Sequence, residues 1–166
     1  KAEDLVGFLH GNCGVYAMAA VIAGKSDRVN RYSSLYAQAA PTCYEPGSMT
    51  WDEMLVGRAG YVCGALFLRR ALKQDVVPMK DLYKVCDAIV DSGRTYAQRN
   101  KSPCPLMFSY HDKEYLGAAH GLCGILQMLL SVPGYLTDHP HGQSAAKEIR
   151  KSVDYLLSTQ ASDGNF

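Results

Sequence analysis

The chain has almost no net charge. Its 166 residues carry 17 basic and 16 acidic side chains, a formal balance of +1. That balance, with no basic stripe, gives no footprint for nucleic acid, and no acidic run marks a solvated tail. Long hydrophobic runs are also missing. The most apolar stretches, near 54–68 and 115–130, are interrupted by Arg58 or His120 and by several glycines. They fall short of the roughly 20 apolar residues that a membrane-spanning helix needs. No segment has the basic start, apolar centre and small-residue cleavage site of a signal peptide. Six cysteines are present, but no two lie closer than 18 residues, from Cys86 to Cys104. The Cys-x-x-Cys pairs of redox and zinc motifs are therefore absent. Three of the six fall in apolar helical runs, where a free thiol behaves as a small buried hydrophobe. This usage points to reduced thiols and a cytosolic setting.

What the chain has instead is a repeat. Gly11-Asn-Cys-Gly14, Gly57-Arg-Ala-Gly60 and Gly121-Leu-Cys-Gly124 each precede an apolar helical run. Their first glycines are 46 residues (57 − 11) and 64 residues (121 − 57) apart. Uneven spacing around a constant motif is the mark of one repeated unit with loops of variable length. More polar, amphipathic stretches lie between the motifs. The pattern predicts an all-α array in which small-residue inner helices alternate with amphipathic outer ones. Residues 9–23 are the first inner helix. Residues 30–40 are the next outer one, ended by Pro41, with 41–50 a loop. Thr50-x-x-Glu53 has the form of a capping box opening a helix. Pro78 opens an amphipathic helix from Met79 to about Arg99, within which Gly93 marks close packing. Residues 106–115 form a connector of undefined shape, with His111 in a surface turn. The segment from His139 to Gly142 reads as a loop. Its His-x-His spacing suits a metal, but no acidic or thiol partner lies nearby in sequence. The last outer helix runs from Gln143 to Gln160, with a stripe at Ala146, Ile149, Val153, Leu156, Leu157 and Gln160.

The candidate chemistry gathers at the inner-helix mouths. His120 stands at the glycine-rich entrance of the third motif, between Gly117 and Gly121. An imidazole there is either a core histidine with one satisfied hydrogen bond or a polar group at the rim of a pocket. Glu53, one turn before Gly57, is either the capping-box carboxylate or an acid facing the same mouth. Arg58 is either a solvated or capping arginine or a substrate contact. Cys13 and Cys123 share the repeat position Gly-x-Cys-Gly.

Gly117-Ala-Ala-His-Gly-Leu-Cys-Gly-Ile125, taken with Glu53-x-x-x-Gly-Arg-x-Gly-Tyr61, resembles the eukaryotic lanthionine synthetase C-like (LanC-like) proteins. The opening Gly-x-x-Gly helix, the Ser-Pro-x-Pro-Leu-Met segment at 102–107 and the turn near 162–165 extend the resemblance over nearly the whole chain. It implies an all-α fold, an α/α toroid of seven repeats, of which about three are present. Residues 1–166 are then one segment of that domain. Lys1 in place of a methionine and the closing Asp163-Gly-Asn-Phe166 are what a segment truncated at both ends would show. An arc of this kind is expected to leave inner faces and flanks open, and so to associate.

The resemblance also implies an activity. Bacterial cyclases of the family add a zinc-bound thiol to a dehydroamino acid, and zinc holds the thiol as a nucleophilic thiolate. The eukaryotic relatives are expected to add glutathione to dehydroalanine or dehydrobutyrine residues in proteins. His120 matches the family's Ala-His-Gly histidine and is the candidate general acid or base, imidazole being the side chain that titrates near neutral pH. Glu53 matches the assisting acid, and Arg58 is the candidate substrate-binding residue. Where the family's zinc-binding repeats carry Cys before His-Gly, this chain has Ala119 before His120 and Leu9 before His10, so no metal ligand carries over. Zinc is expected of the full-length family, glutathione is the expected co-substrate, and the segment alone is expected to be inactive. The expected setting is cytoplasmic, with peripheral association at the plasma membrane. The alternative is a non-catalytic scaffold of the same fold in cytosolic or membrane-proximal signalling. A toroid enzyme acting on sugars or isoprenoids would show paired acidic residues at the inner mouths, and none is evident.

Overall fold

The computed structural model describes residues 1–24, 26, 28–47 and 51–165. Among the described residues the architecture is all-α, with one isolated β-bridge between Tyr110 and Lys113. The helices are α1 (Ala2–Val6), α2 (Asn12–Ala23), α3 (Arg28–Gln38), α4 (Ala40–Tyr44), α5 (Arg58–Leu72), α6 (Met79–Asn100), α7 (Leu122–Ser131), α8 (Tyr135–Asp138) and α9 (Pro140–Ser158). Each of α2, α5 and α7 begins within a Gly-x-x-Gly motif. They pack side by side, α2 on α5 and α5 on α7. The amphipathic helices form the second layer: α3 covers α2, α6 covers α5, and α9 covers α7 while touching α6. The alternation read from the sequence is thus an arc of inner and outer helices.

Central α5 shows why small residues matter in the inner row. It is covered from both sides, and Ala59, Tyr61, Val62, Ala65 and Leu68 are buried. A Cβ on Gly64 would lie 2.3 Å from the Tyr36 hydroxyl and 2.5 Å from the Phe8 ring, so the groove along α5 exists only because a glycine leaves it open. Into it fits a reciprocal clasp. The Tyr36 hydroxyl donates to the Tyr61 carbonyl at 2.6 Å, the Tyr61 hydroxyl donates to the Tyr36 carbonyl at 3.0 Å, and the two rings stack at 4.9 Å. Buried hydroxyls need such partners. At the flank, no helix among the described residues covers one side of α2. Leu9, Val15, Met18 and Ile22 are exposed there along a groove of roughly 600 Å³. That groove includes neither Glu53 nor His120 in its lining.

Several boundaries differ from expectation. Pro41 does not simply end an outer helix. Chain 41–44 belongs to the short helix α4, with Pro41 in its first turn, where the missing N–H would have no intrahelical partner. The segment from Pro140 is helical too, because Pro140 opens α9 in the same way. The buried face of α9 includes Ile149 and Leu156 as expected, with Ala145 and Ser152 buried where Ala146 and Val153 were expected, and Leu157 is exposed. Gly93 does mark close packing: its Cβ would lie 2.5 Å from the Phe108 ring. The capping box falls partly outside the described residues, at Thr50. Glu53 itself lies in a turn before α5, whose N-cap is Gly57.

Candidate active site at the inner-helix mouths

A helix begins with N–H groups that have no intrahelical acceptor. In α2, α5 and α7 no side chain caps them. The preceding loop curls back instead, and carbonyls seven residues upstream accept. Arg58, Ala59 and Gly60 donate to Trp51, Asp52 and Glu53 at 3.1–3.3 Å. Leu122 and Cys123 donate to Tyr115 and Leu116, and Gly14 to Gly7. This tight wrap explains the second glycine of each motif. A Cβ on Gly14, Gly60 or Gly124 would lie 1.9, 2.3 or 2.1 Å from the carbonyl oxygen of Phe8, Met54 or Ala118.

The three wraps are joined edge to edge. Leu9 and His10 donate to the Leu55 carbonyl, and Met54 donates to the Ala119 carbonyl at 3.0 Å. The last bond sets Glu53 beside His120. Glu53 Oε2 lies 2.7 Å from His120 Nδ1, while Oε1 accepts from the N–H groups of Val56 and Gly57. Glu53 is 2 % exposed, and the His120 side chain 33 %. A buried carboxylate taking two backbone N–H bonds beside the start of α5 is an acceptor held by fixed dipoles. Its contact then requires a proton on Nδ1, which leaves Nε2 with the lone pair. An anchored acid fixing the tautomer of a half-exposed histidine is the arrangement used to move a proton.

Beside the dyad is a buried polar clamp. Arg58 Nη1 pairs with Asp52 Oδ1 at 2.7 Å, and Arg58 Nε donates to the Cys43 carbonyl at 2.6 Å. The Ser92 hydroxyl of α6 donates to Asp52 Oδ2 at 2.6 Å. Burial pushes the Asp52 carboxyl up, and Arg58 and Ser92 pull it back. The expectation of a solvated arginine is corrected here. Arg58 is 8 % exposed, and its guanidinium is engaged inside the protein. It ties the loop carrying Glu53 to α4 and, through Asp52, to α6.

The connector 106–115 supplies the residues that sequence reasoning missed. Leu106, Met107 and Phe108 are buried. The Leu106 N–H reaches the Ser152 hydroxyl on α9, and the Met107 N–H reaches the Gly93 carbonyl on α6. So anchored, the strap delivers Tyr110 onto the face of His120, with centroids 4.8 Å apart and planes 7° off parallel. Trp51 meets Tyr110 edge-on at 5.1 Å. The strap turns at His111 and Asp112, both with positive φ (48° and 60°). Its sequence signal was the Ser-Pro-x-Pro segment at 102–107, which named no role for Tyr110.

The His-x-His segment has the acidic partners that seemed absent. His139 Nε2 contacts Asp87 Oδ2 at 2.9 Å, and His141 Nε2 contacts Asp91 Oδ1 at 3.1 Å. The Tyr135 hydroxyl also donates to Asp87. These pairs fasten the start of α9 to α6. Among the described residues no three His, Cys, Asp or Glu side chains form a group able to hold a metal ion.

An inner row of small-residue helices under an outer amphipathic row, with a His–Glu contact at its rim, defines an all-α repeat protein. The chain belongs to the lanthionine synthetase C-like family, whose model matches residues 1–166. It is 33 % identical over 166 residues to "Glutathione S-transferase LANCL1" of Danio rerio, covering 97 % of this chain and 40 % of that protein. It is also 33 % identical over 172 residues to "LanC-like protein GCL1" of Arabidopsis thaliana, covering 97 % of this chain and 38 % of that one. The chain therefore spans about two fifths of the length of these relatives. No helix among the described residues is long and apolar enough to cross a membrane.

Proposed function

We propose that this chain carries the acid–base part of an enzyme that adds the glutathione thiol to dehydroalanine or dehydrobutyrine residues in proteins. The observation that carries the reading is the 2.7 Å contact between His120 Nδ1 and buried Glu53 Oε2. The name of the Danio rerio relative, a glutathione S-transferase, supports the co-substrate.

The addition is redox-neutral. Sulfur bonds to the β-carbon as the carbon–carbon π bond breaks, and the thiol proton ends on the α-carbon. His120 takes that proton at Nε2 and returns it to the enolate carbon. Glu53 stabilises the imidazolium between the two transfers and keeps Nδ1 protonated. Arg58 serves as a frame for the Glu53 loop through Asp52.

Zinc, which the family implies, finds no fitting ligand set among these residues. The described side chains form no group of three suitable donors, and Nδ1 of His120 is already spent on Glu53.

The test is mass-spectrometric detection of glutathione adducts on a dehydroalanine peptide, using the intact protein that carries these residues. Adduct formation that is lost in His120→Ala, with the fold retained by circular dichroism, is the expected result. Equal turnover in wild type and His120→Ala would sink the proposal. No adduct from either would favour the scaffold reading.

A further inference from the structure

We propose that Tyr110 is a positioning residue for His120, holding the imidazole plane so that Nδ1–H stays on Glu53 and Nε2 stays presented to substrate. The inference rests on the reading of His120 as the proton carrier. A single in-plane hydrogen bond from Nδ1 to Glu53 Oε2 fixes where that nitrogen lies. It leaves two freedoms: the ring can swing about the N···O line, and it can turn over so that a carbon replaces Nδ1. Contact against the ring face opposes both. Tyr110 supplies it at 4.8 Å and 7°.

Tyr110 is itself held in place. Trp51 meets it edge-on at 5.1 Å, and Trp51 lies two residues before Glu53 on the same loop. One loop therefore provides both the in-plane restraint, directly, and the brace behind the out-of-plane one. From the other direction, Tyr110 exchanges backbone bonds with Lys113, its N–H donating at 2.9 Å and its carbonyl accepting at 3.2 Å. Closing that turn needs left-handed backbone at two non-glycine residues, His111 and Asp112. Such conformations persist where the surroundings over-determine them, and they gather at functional sites. The strap below is pinned to α6 and α9 through Met107 and Leu106. A phenol face also favours the positively charged imidazolium, through the quadrupole of the ring. The restraint comes from the Tyr110 ring face rather than from its hydroxyl.

The test compares wild type, Tyr110→Phe and Tyr110→Leu in the intact protein. ¹⁵N NMR of labelled histidine reads which ring nitrogen of His120 carries the proton, and thermal melting checks folding. Wild type and Tyr110→Phe are expected to show the Nδ1–H tautomer alone. Tyr110→Leu is expected to show both tautomers, with kcat for glutathione addition down about 10- to 100-fold and KM little changed. If Tyr110→Leu fails to fold, Tyr110→Met takes its place. Two results would overturn the proposal: a single Nδ1–H tautomer with wild-type kcat in the leucine variant, or a phenylalanine variant as impaired as the leucine one. If wild type forms no adduct, the enzymatic reading fails by itself, and the tautomer populations still decide whether Tyr110 positions His120.

Discussion

Glu53 and His120 are 67 residues apart in sequence, yet their side chains meet at 2.7 Å, carboxylate Oε2 to imidazole Nδ1. The contact is made by backbone as much as by side chains. The Met54 N–H on the Ala119 carbonyl locks the two loops in register one residue away. The dyad is therefore part of how the second and third repeats are joined.

Replacing Glu53 by glutamine separates charge from shape. The introduced amide keeps an oxygen for the Val56 and Gly57 N–H groups and turns an NH₂ toward His120. Nδ1 must then accept, and the proton moves to Nε2. Glutathione addition by Glu53→Gln is expected to fall about 10²- to 10⁴-fold with a near-native melting temperature. Steady-state kinetics on the dehydroalanine peptide checks this, and activity within about twofold of wild type would remove Glu53 from the mechanism.

Arg58→Met leaves the Asp52 carboxylate buried beside Ser92 without its cation. Breaking a buried pair in this way costs about 3–5 kcal/mol at neutral pH. The deficit should shrink in acid. Burial already raises the Asp52 carboxyl above its ordinary 3.8, and the variant loses the lowering by Arg58. Between the ordinary and the raised value, the native state holds more protons than the unfolded one. Stability therefore falls as pH climbs through that window and returns as pH drops. Urea unfolding at neutral and mildly acidic pH measures it. A deficit of equal size at both would mean that Asp52 is not the group left stranded.

The glycines divide by their surroundings. A methyl on Gly60 would press within 2.3 Å of the Met54 carbonyl, backbone that cannot swing aside. Gly60→Ala is expected to cost about 1–3 kcal/mol and to loosen the loop carrying Glu53. A methyl on Gly117 meets nothing within 4 Å, so Gly117→Ala should stay within about 0.5 kcal/mol of wild type. Denaturant midpoints of the two variants settle the contrast, and similar values would refute it.

Thiol reactivity should follow burial. Burial pushes the Cys13 thiol up to about 12 and raises those of Cys43 and Cys86 further, Cys43 with Cys13 adding to the effect. Thiolate is the reactive form. Cys63 and Cys123 are partly exposed. Iodoacetamide on the native protein is expected to modify Cys123 and Cys63 first, and Cys13, Cys43 and Cys86 only on unfolding. Peptide mass spectrometry that found Cys86 labelled as fast as Cys123 would contradict this packing.

The sequence by itself determined the all-α class, the three motif helices and the two residues of the dyad. Those features are local: a glycine repeat, a helical period, a histidine at a helix mouth. The tertiary structure alone decided what distant segments do to one another. Arg58 looked like a surface arginine because Asp52 and the Cys43 carbonyl, its partners, are not marked as such by any local pattern. His139 and His141 looked isolated because Asp87 and Asp91 lie about 50 residues earlier and approach only when α9 packs on α6. Tyr110 lay in a stretch without periodicity, since a strap pinned through backbone N–H groups needs no side-chain pattern to hold it. Hydrophobic periodicity records which face of an element is buried. It carries no record of which carboxylate, carbonyl or ring will be waiting on the other side.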